Sequence, residues 1–312
     1  MRLILAPMEG VVDAQMRQLL TTIGGYDLCV TEFIRVTEQK LPPKVFYRLC
    51  PELHHNGVTS SGVPVRVQLL GQSPDWLAIN SITAIKLGSA GIDLNFGCPA
   101  KTVNKSRGGA ILLKEPQLIF DIVRAVRNAV PLHLPVSAKI RLGYENTQHT
   151  FEIADAIATA GADELTVHAR TKIDGYRPPA YWHWIDAIRQ RINIDVVANG
   201  EIWDKASFNQ CKEQAKTNSF MIGRGAIARP NIAQMIKKDE PQMTWTGILE
   251  LLIQFAEHPA SLHEAIYFPA RVKQWFSYLK LSYPQADPLF RKIRVLREYH
   301  DIKHELIAAL NN

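Results

Sequence analysis

The sequence predicts a (β/α)8 barrel followed by a small helical domain. Three observations lead there. Eight short β-rich runs recur roughly every 30 residues across the first three quarters of the chain. Longer amphipathic stretches lie between them, several ending in the Gly or Asn expected just past a helix. After residue 240 the strand-like runs stop and only helical patterns continue. A parallel sheet closed on itself, with a helix after each strand, puts eight such units around one core. A doubly wound open sheet uses fewer strands and an early Gly-rich fingerprint, and no GxGxxG follows the first run here.

In order, the runs are 3–8, 27–33, 63–71, 91–98, 135–143, 164–170, 194–202 and 219–227. Helical patterns fill 76–87, 116–130, 151–159, 182–190 and 204–213, and 37–62 reads as an irregular insertion. The expected domains are a barrel over 1–240 and a helical unit over 241–312. The 312 residues suffice to bury a core without staples. Hydrophobic residues make up 46% and charged residues 21%, which excludes long disorder, collagen and coiled coil. Mean hydropathy is −0.09, and no run approaches the ~20 apolar residues of a membrane helix. Pro7 and Glu9 interrupt the short apolar start, so no signal peptide is expected. Cys29, Cys50, Cys98 and Cys211 form no CxxC pair; this argues against a zinc site or disulfide framework and for a reducing cytoplasm. The net charge of +6 permits an anionic partner without demanding one. Neither a membrane nor DNA is expected as a partner, and monomer is the default.

Barrel chemistry sits at the C-terminal ends of the strands. The polar residues there are Glu9 after Pro7-Met8, Thr31-Glu32, Gln68, Asn95 and Cys98, Lys139 and Arg141, His168 and Arg170, Asn199-Gly200-Glu201, and Gly223-Arg224-Gly225. Barrel strands are normally filled with branched apolar side chains, so a polar residue at every end points to one ring around a ligand. Lys139 alternates with Ser137 and Arg141, a spacing that can turn it inward as a fixed cation or let it snorkel to the top. The Gly223-Arg224-Gly225 turn occupies the usual barrel phosphate position, where backbone N–H groups meet an anion. Asn199-Gly200-Glu201 is either a plain turn or the start of a helix offering more N–H donors. Gln68 and His168 are either satisfied core residues or partners of a heterocycle's edge.

Cys98 is the sharpest candidate. It lies between Gly97 and Pro99, at the end of the fourth run, and opens a loop over 100–109. An ordinary thiol is largely protonated at neutral pH, so it can serve as an acid, or as a nucleophile if a base lowers its pKa. The other three cysteines read as inert small hydrophobes.

In the tail, residues 271–297 hold seven cations, Arg271, Lys273, Lys280, Arg291, Lys292, Arg294 and Arg297, against one acid, Asp287. Trp275, Phe276, Tyr278, Tyr283 and Phe290 are interleaved. Helical spacing puts Lys273 and Lys280 on one face and Arg291, Arg294 and Arg297 on another. The pattern is either a solvated helix surface over an aromatic core or a footprint for a phosphate backbone.

Taken together, the chain resembles the tRNA-dihydrouridine synthases. The pieces are Ala6-Pro7-Met8-Glu9-Gly10, Val67-Gln68-Leu69, Leu94-Asn95-Phe96-Gly97-Cys98-Pro99, Ala138-Lys139-Ile140-Arg141, Val167-His168-Ala169-Arg170-Thr171, Asn199-Gly200-Glu201-Ile202 and Met221-Ile222-Gly223-Arg224-Gly225-Ala226. They run in order over the whole barrel, and their joint occurrence is specific. Residues 270–279, with Thr31-Glu32-Phe33-Ile34-Arg35, resemble the C branch of that family, which implies uridine 16 of tRNA as the target. The resemblance implies FMN held by Pro7, Met8, Glu9, Gln68, Lys139, His168, Asn199, Gly200, Glu201, Gly223 and Arg224, with NADPH as reductant. It implies Cys98 as the catalytic acid. It implies contact with tRNA by Arg35, Asn95, Lys101, Arg141, Tyr176, Arg271, Lys273, Gln274, Lys280 and Arg294. No metal is implied.

Two departures stand out. The family's loop after Cys98-Pro99 is Gly-rich where this chain has Lys105 and Arg107, so either the loop differs or two cations add phosphate contacts. Ala169 stands where glycine is common. Three other readings stay open: a flavin-dependent oxidoreductase of a small pyrimidine-like heterocycle, a Schiff-base aldolase using Lys139, and a tRNA-binding protein without turnover.

Overall fold

The computed structural model describes residues 1–257 and 268–311. Eight parallel strands close a barrel in chain order: β1 (Arg2–Leu5), β2 (Leu28–Arg35), β3 (Val65–Leu70), β4 (Ile92–Asn95), β5 (Val136–Arg141), β6 (Glu164–His168), β7 (Asp195–Asn199) and β8 (Ser219–Ile222). β1 closes on β8 with Arg2 opposite Ser219 and Leu5 opposite Ile222. Each of the eight expected runs overlaps one of these strands, though the first starts a residue late and the second stops two residues short. All but the second run overshoot the strand's C-terminal end. Several apolar residues past the ends stay buried, as Phe96 and Ile227 are, so apolar character outlasts the ladder.

Helices follow the strands: α1 (Ala14–Ile23), α2 (Pro43–Leu49), α3 (Pro74–Lys86), α4 (Lys101–Lys105), α5 (Pro116–Ala129), α6 (Thr150–Thr159), α7 (His183–Arg191), α8 (Lys205–Ala215), α9 (Arg224–Ala228) and α10 (Ile232–Lys238). Local chemistry starts several of them. Ser73 accepts a bond from the Trp76 N–H and Pro74 opens α3. Asp204 and Ser207 form a reciprocal capping box on α8. The 37–62 connection is not the expected irregular insertion. It holds α2 and a 3-10 turn over Pro51–His55, and α2 is the barrel's own second helix. Its seven residues are too few to display a helical period. The buried Arg17 side chain fixes this connection, donating to both Glu52 oxygens at 2.8 and 2.9 Å and to the Leu49 carbonyl at 2.9 Å.

The barrel interior is divided. On β1, β2, β7 and β8 it is an apolar cluster of Ile4, Ala6, Leu28, Val30, Val197 and Met221. On β3 to β6 the residues alternating with the outward-facing core are Arg66, Gln68, Asp93, Asn95, Ser137, Lys139, Arg141, Glu164, Thr166 and His168.

The tail comprises α11 (Trp245–Glu257), α12 (Phe268–Leu279), α13 (Ala286–Ile293) and α14 (Tyr299–Leu310). Its core is aromatic: Trp275 packs edge-on against Phe255 at 5.4 Å, and Phe268 against Tyr299 at 4.9 Å. The Trp275 indole N–H donates to the Ile227 carbonyl at 3.0 Å, tying α12 to α9. The two expected basic helix faces do not form as drawn. Lys280 lies past the end of α12, and Arg294 and Arg297 lie past the last residue of α13. Pro284 disfavours a helical Tyr283, so the pattern of α12 cannot continue through it. Among the described residues no helix is long and apolar enough to cross a membrane.

Candidate active site

A cavity of about 490 Å3 opens at the C-terminal ends of the strands, within the ~300–1,000 Å3 typical of small-molecule sites. Every strand contributes to its lining: Pro7, Met8 and Glu9 after β1, Glu32 and Phe33 from β2, Gln68 from β3, Asn95 and Cys98 at β4, Lys139 and Arg141 from β5, His168 from β6, Asn199, Gly200 and Glu201 at β7, and Gly223 and Arg224 after β8. The ring expected from the strand ends is therefore present as geometry. Tyr176 also lines it.

The far wall is cationic. The Lys139 Nζ donates to Asn199 Oδ1 at 3.0 Å and makes no ion pair among the described residues. Burial, with Arg141 nearby, lowers its pKa to about 8. Asn199 is held in turn by its own N–H to the Met221 carbonyl at 2.8 Å. Burial and four surrounding cations, Arg141 foremost, push His168 well below its ordinary value, so it is a neutral imidazole at pH 7. Arg141 is a tie between loops: it donates to the carbonyls of Gly97, Thr171 and Gly175 at 2.9, 3.0 and 2.9 Å. The Tyr176 ring lies within 5.2 Å of the Arg141 guanidinium and 4.7 Å of the Arg224 guanidinium.

The β7 and β8 turns are shaped by close approach. Gly200 has φ +116°, and a Cβ there would meet His168 Cδ2 at 2.8 Å. Glu201 follows at φ +59°, a strained setting for a side-chain-bearing residue. Its carboxylate takes the buried Arg170 guanidinium, the Trp203 indole N–H at 2.9 Å and Arg224 at 3.5 Å. The expectation that the helix after β7 offers spare N–H donors fails in part, because the Asp204 side chain already caps α8.

Cys98 sits half-buried on the turn after β4. Its N–H and that of Gly97 both donate to Asn95 Oδ1, at 2.9 and 3.0 Å. Its carbonyl accepts from Ala110 N and Asn104 Nδ2, both at 3.0 Å. Burial pushes the thiol up, so it is protonated at neutral pH. The loop departure resolves clearly. Arg107 takes φ +54°, the left-handed conformation a glycine would supply at no cost. One terminal nitrogen of its guanidinium donates to both Glu115 oxygens, at 2.8 and 3.1 Å. Lys105 merely ends α4.

Arg35 and Lys101 are exposed outside the cavity, and Arg35 lines a separate shallow depression with Lys105 and Arg107. In the tail, Arg271 pairs with Asp13 at 2.7 Å and donates to the Gly10 and Val11 carbonyls and to Gln274. Lys273 donates to the Leu296 carbonyl. Lys280 lies 4.0 Å from Asp287 and over the Phe290 ring. Arg294 is exposed. Sequence reasoning missed Phe33, Trp203 and Tyr278 as lining residues. Tyr278 comes from α12, so the tail reaches the barrel cavity; its neighbours Trp275 and Phe276 are core, which hid it among them.

The sequence model for dihydrouridine synthase matches residues 4–307. A tRNA-dihydrouridine(16) synthase of Shewanella oneidensis is 54% identical over 309 residues, covering 99% of this chain and 98% of its own length. Those of Pasteurella multocida and Escherichia coli K12 are 53% and 52% identical, covering 100% and 99% of this chain and 100% and 98% of their own lengths. Among solved structures, a variant of NCR from Zymomonas mobilis aligns with TM-score 0.54 at 14% identity, over 78% of this chain and 88% of its own. TcOYE with pHBA aligns with TM-score 0.52 at 13% identity, over 77% and 90%. These two show a shared barrel. The match to the full-length relatives spans every strand end that builds the cavity, and on that ground the chain belongs to the dihydrouridine synthase family.

Proposed function

We propose that this chain reduces the C5=C6 bond of uridine 16 in tRNA to 5,6-dihydrouridine, with FMN in the barrel mouth and NADPH as reductant. The observation that carries the reading is the ring of polar side chains from all eight strands around one cavity, with a protonated thiol at its edge.

The donor set fits a planar, anionic cofactor. Lys139 is an inward-facing cation that bonds Asn199 and pairs with no carboxylate among the described residues. Gln68 still has one N–H and one lone pair beyond its protein partners. Gly200 and Gly223 let both turns pack close at the mouth, where a Cβ would meet His168 Cδ2 at 2.8 Å and Met8 Sδ at 3.2 Å. Lys139, Gln68 and Asn199 would hold the ring; Gly223, Arg224 and the Gly200-Glu201 turn would hold the phosphate. When bound and reduced, the flavin supplies a hydride.

The C5=C6 bond of uracil is conjugated to the C4 carbonyl, so C6 accepts the hydride and C5 then needs a proton from a fixed direction. Cys98 supplies it: its thiol keeps the proton at neutral pH, and the Asn95-capped turn holds it in place. Asn95 and Tyr176 bound the space for a base unstacked from an RNA loop. Residues 241–312 serve as the tRNA-recognition unit, with Lys273, Gln274, Lys280 and Arg294 joined by Arg35 and Lys101 from the barrel. Arg271 contributes by anchoring α12 beside the mouth. The protein acts as a monomer in the cytoplasm.

The test is the visible spectrum of the purified protein, then NADPH oxidation with and without unmodified tRNA, then mapping of the product. A flavin spectrum with tRNA-dependent oxidation and dihydrouridine at position 16 supports the reading. Flavin without tRNA-dependent turnover favours a small-heterocycle reductase. A colourless protein that refuses FMN removes the proposal.

A further inference from the structure

We propose that Asp93 is a positioning residue for Cys98, its carboxylate acting through a relay of the side-chain amides of Gln68 and Asn95 that fixes the turn carrying the thiol. Its kinetic consequence rests on the function proposed above; its structural consequence does not.

The relay is continuous. Asn95 Oδ1 accepts the N–H groups of Gly97 and Cys98. Asn95 Nδ2 donates to Gln68 Oε1 at 2.7 Å, and Gln68 Nε2 donates to Asp93 Oδ2 at 2.6 Å. Backbone N–H groups only donate, so Asn95 must turn its oxygen to the loop and its amino group to Gln68. Gln68 must then turn its oxygen to Asn95 and its amino group to position 93. That position must hold an acceptor, and a carboxylate is one in either orientation. The polarity of the relay is thus fixed from both ends. Gln68 and Asp93 are buried, and Asn95 is 8% exposed, so little water can substitute for a lost partner.

The far end of Asp93 is anchored as well. Ser137 donates to Asp93 Oδ1, Arg66 donates to Ser137 Oγ at 2.8 Å and to Glu164 at 3.1 Å, and Arg2 pairs with Glu164. On the barrel floor Arg2 and Arg66 stand with Glu164 and Asp93; burial raises the Asp93 carboxyl pKa to about 6, so it is ionised at pH 8. The relay therefore runs from the barrel floor to the mouth and ends on the backbone of Cys98. Asp93 touches neither the thiol nor the space above it.

A charge swap tests this. In Asn95→Asp the new carboxylate still accepts the two loop N–H groups but cannot donate to Gln68. Two acceptors then meet, either at position 95 or, if Gln68 flips, at position 93. Adding Asp93→Asn removes the conflict: Gln68 flips, donates to Asp at 95, and accepts from Asn at 93. The carboxylate beside Cys98 is present in both variants, so its effect on the thiol cancels between them.

Two readouts at pH 8 on the protein as purified would be compared: kcat and KM for unmodified tRNA, and the rate of Cys98 alkylation by iodoacetamide, read by peptide mass. Cys29, Cys50 and Cys211 are buried, which keeps the alkylation selective. The expected result is a kcat at least tenfold lower in Asn95→Asp, with faster alkylation of a loosened turn. The double variant should recover at least tenfold in kcat and return alkylation toward the wild-type rate, with KM moving less than threefold between them. A double variant as impaired as Asn95→Asp on both readouts overturns the proposal. If the wild type makes no dihydrouridine, the proposed function falls, and the alkylation comparison alone decides the relay. If Asn95→Asp does not fold, a folded double variant with slow alkylation supports the relay and an unfolded one overturns it.

Discussion

The barrel mouth and the helical tail both gather cations, and they treat them in opposite ways. Lys139, Arg141 and Arg224 line the mouth with Arg170 buried behind them, and Glu201 pairs with Arg170 and Arg224. Burial, and after it their mutual repulsion, depresses Lys139, Arg141 and Arg224 and holds His168 neutral. In the tail four of the seven cations are already answered: Arg271 by Asp13, Arg291 and Lys280 by Asp287, and Lys273 by a carbonyl. A buried excess of one sign is relieved by a ligand; a surface cluster is relieved by its own chain. The mouth therefore suits the anionic cofactor proposed for it, and the tail leaves fewer cations free for the proposed RNA contact than its composition suggests.

The largest effect expected in the mouth is on chemistry. Cys98→Ala should lower turnover by about 10²–10⁴-fold, the range for loss of a general acid, while flavin content and tRNA affinity stay near wild type. Single-turnover reduction of tRNA by prereduced enzyme checks it, and near-normal turnover would sink the acid role. Next is Lys139. Its pKa is depressed to about 8, so its charge is present below that pH and lost above it. Anion affinity should then fall as pH rises through 8, by up to about tenfold per pH unit until the bound-state pKa is passed. FMN titrations from pH 6.5 to 9.5 should show this limb in the wild type and a flat, weaker profile in Lys139→Met. A limb that survives in the variant assigns it elsewhere.

The same contrast explains what the sequence made legible. The eight strands stood out because each is buried on its outer face and flanked by turns, and the strand-end ring stood out because polar residues are out of place in such runs. Spacing also suggested that Ser137, Lys139 and Arg141 share a face. It did not reveal that Asp93 and Arg66 join them below the mouth, because a polar residue inside an apolar run does not name its partner. The tail was harder for the same reason. Asp13, which holds Arg271, lies 258 residues away by number, and no local pattern connects them. Helical spacing gave Lys280, Arg294 and Arg297 helix faces that end before reaching them. The α2 helix was too short to show a period, and Tyr278 was concealed by the core aromatics beside it.

A third effect sharpens the contrast at the junction. Trp275 is 2% exposed and bonds the Ile227 carbonyl on α9. Trp275→Ala should cost roughly 3–5 kcal/mol of stability, whereas Trp275→Phe keeps most of the packing and loses one buried hydrogen bond, about 1 kcal/mol. Urea unfolding with near-UV detection distinguishes the two, and equal losses would mean that the indole N–H, not packing, joins tail to barrel.

The smallest effect tests the tail's own division of labour. Arg294 and Arg297 are exposed and make no ion pair among the described residues, whereas Arg291 is paired with Asp287 at 2.6 Å. Removing one cation that meets a phosphate should raise the tRNA KM a few-fold, leave kcat alone and reduce the salt slope of binding by about one. Arg294→Ala and Arg297→Ala should each do this. Arg291→Ala should do less, because its charge is already shared with Asp287 and an exposed pair of this kind contributes little. Measuring tRNA affinity from 50 to 300 mM salt, about the range where counterion release is steep, separates the two classes. Equal slopes for all three variants would show that the internal pairing of the tail does not decide which cations meet RNA, and the contrast with the mouth would then rest on burial alone.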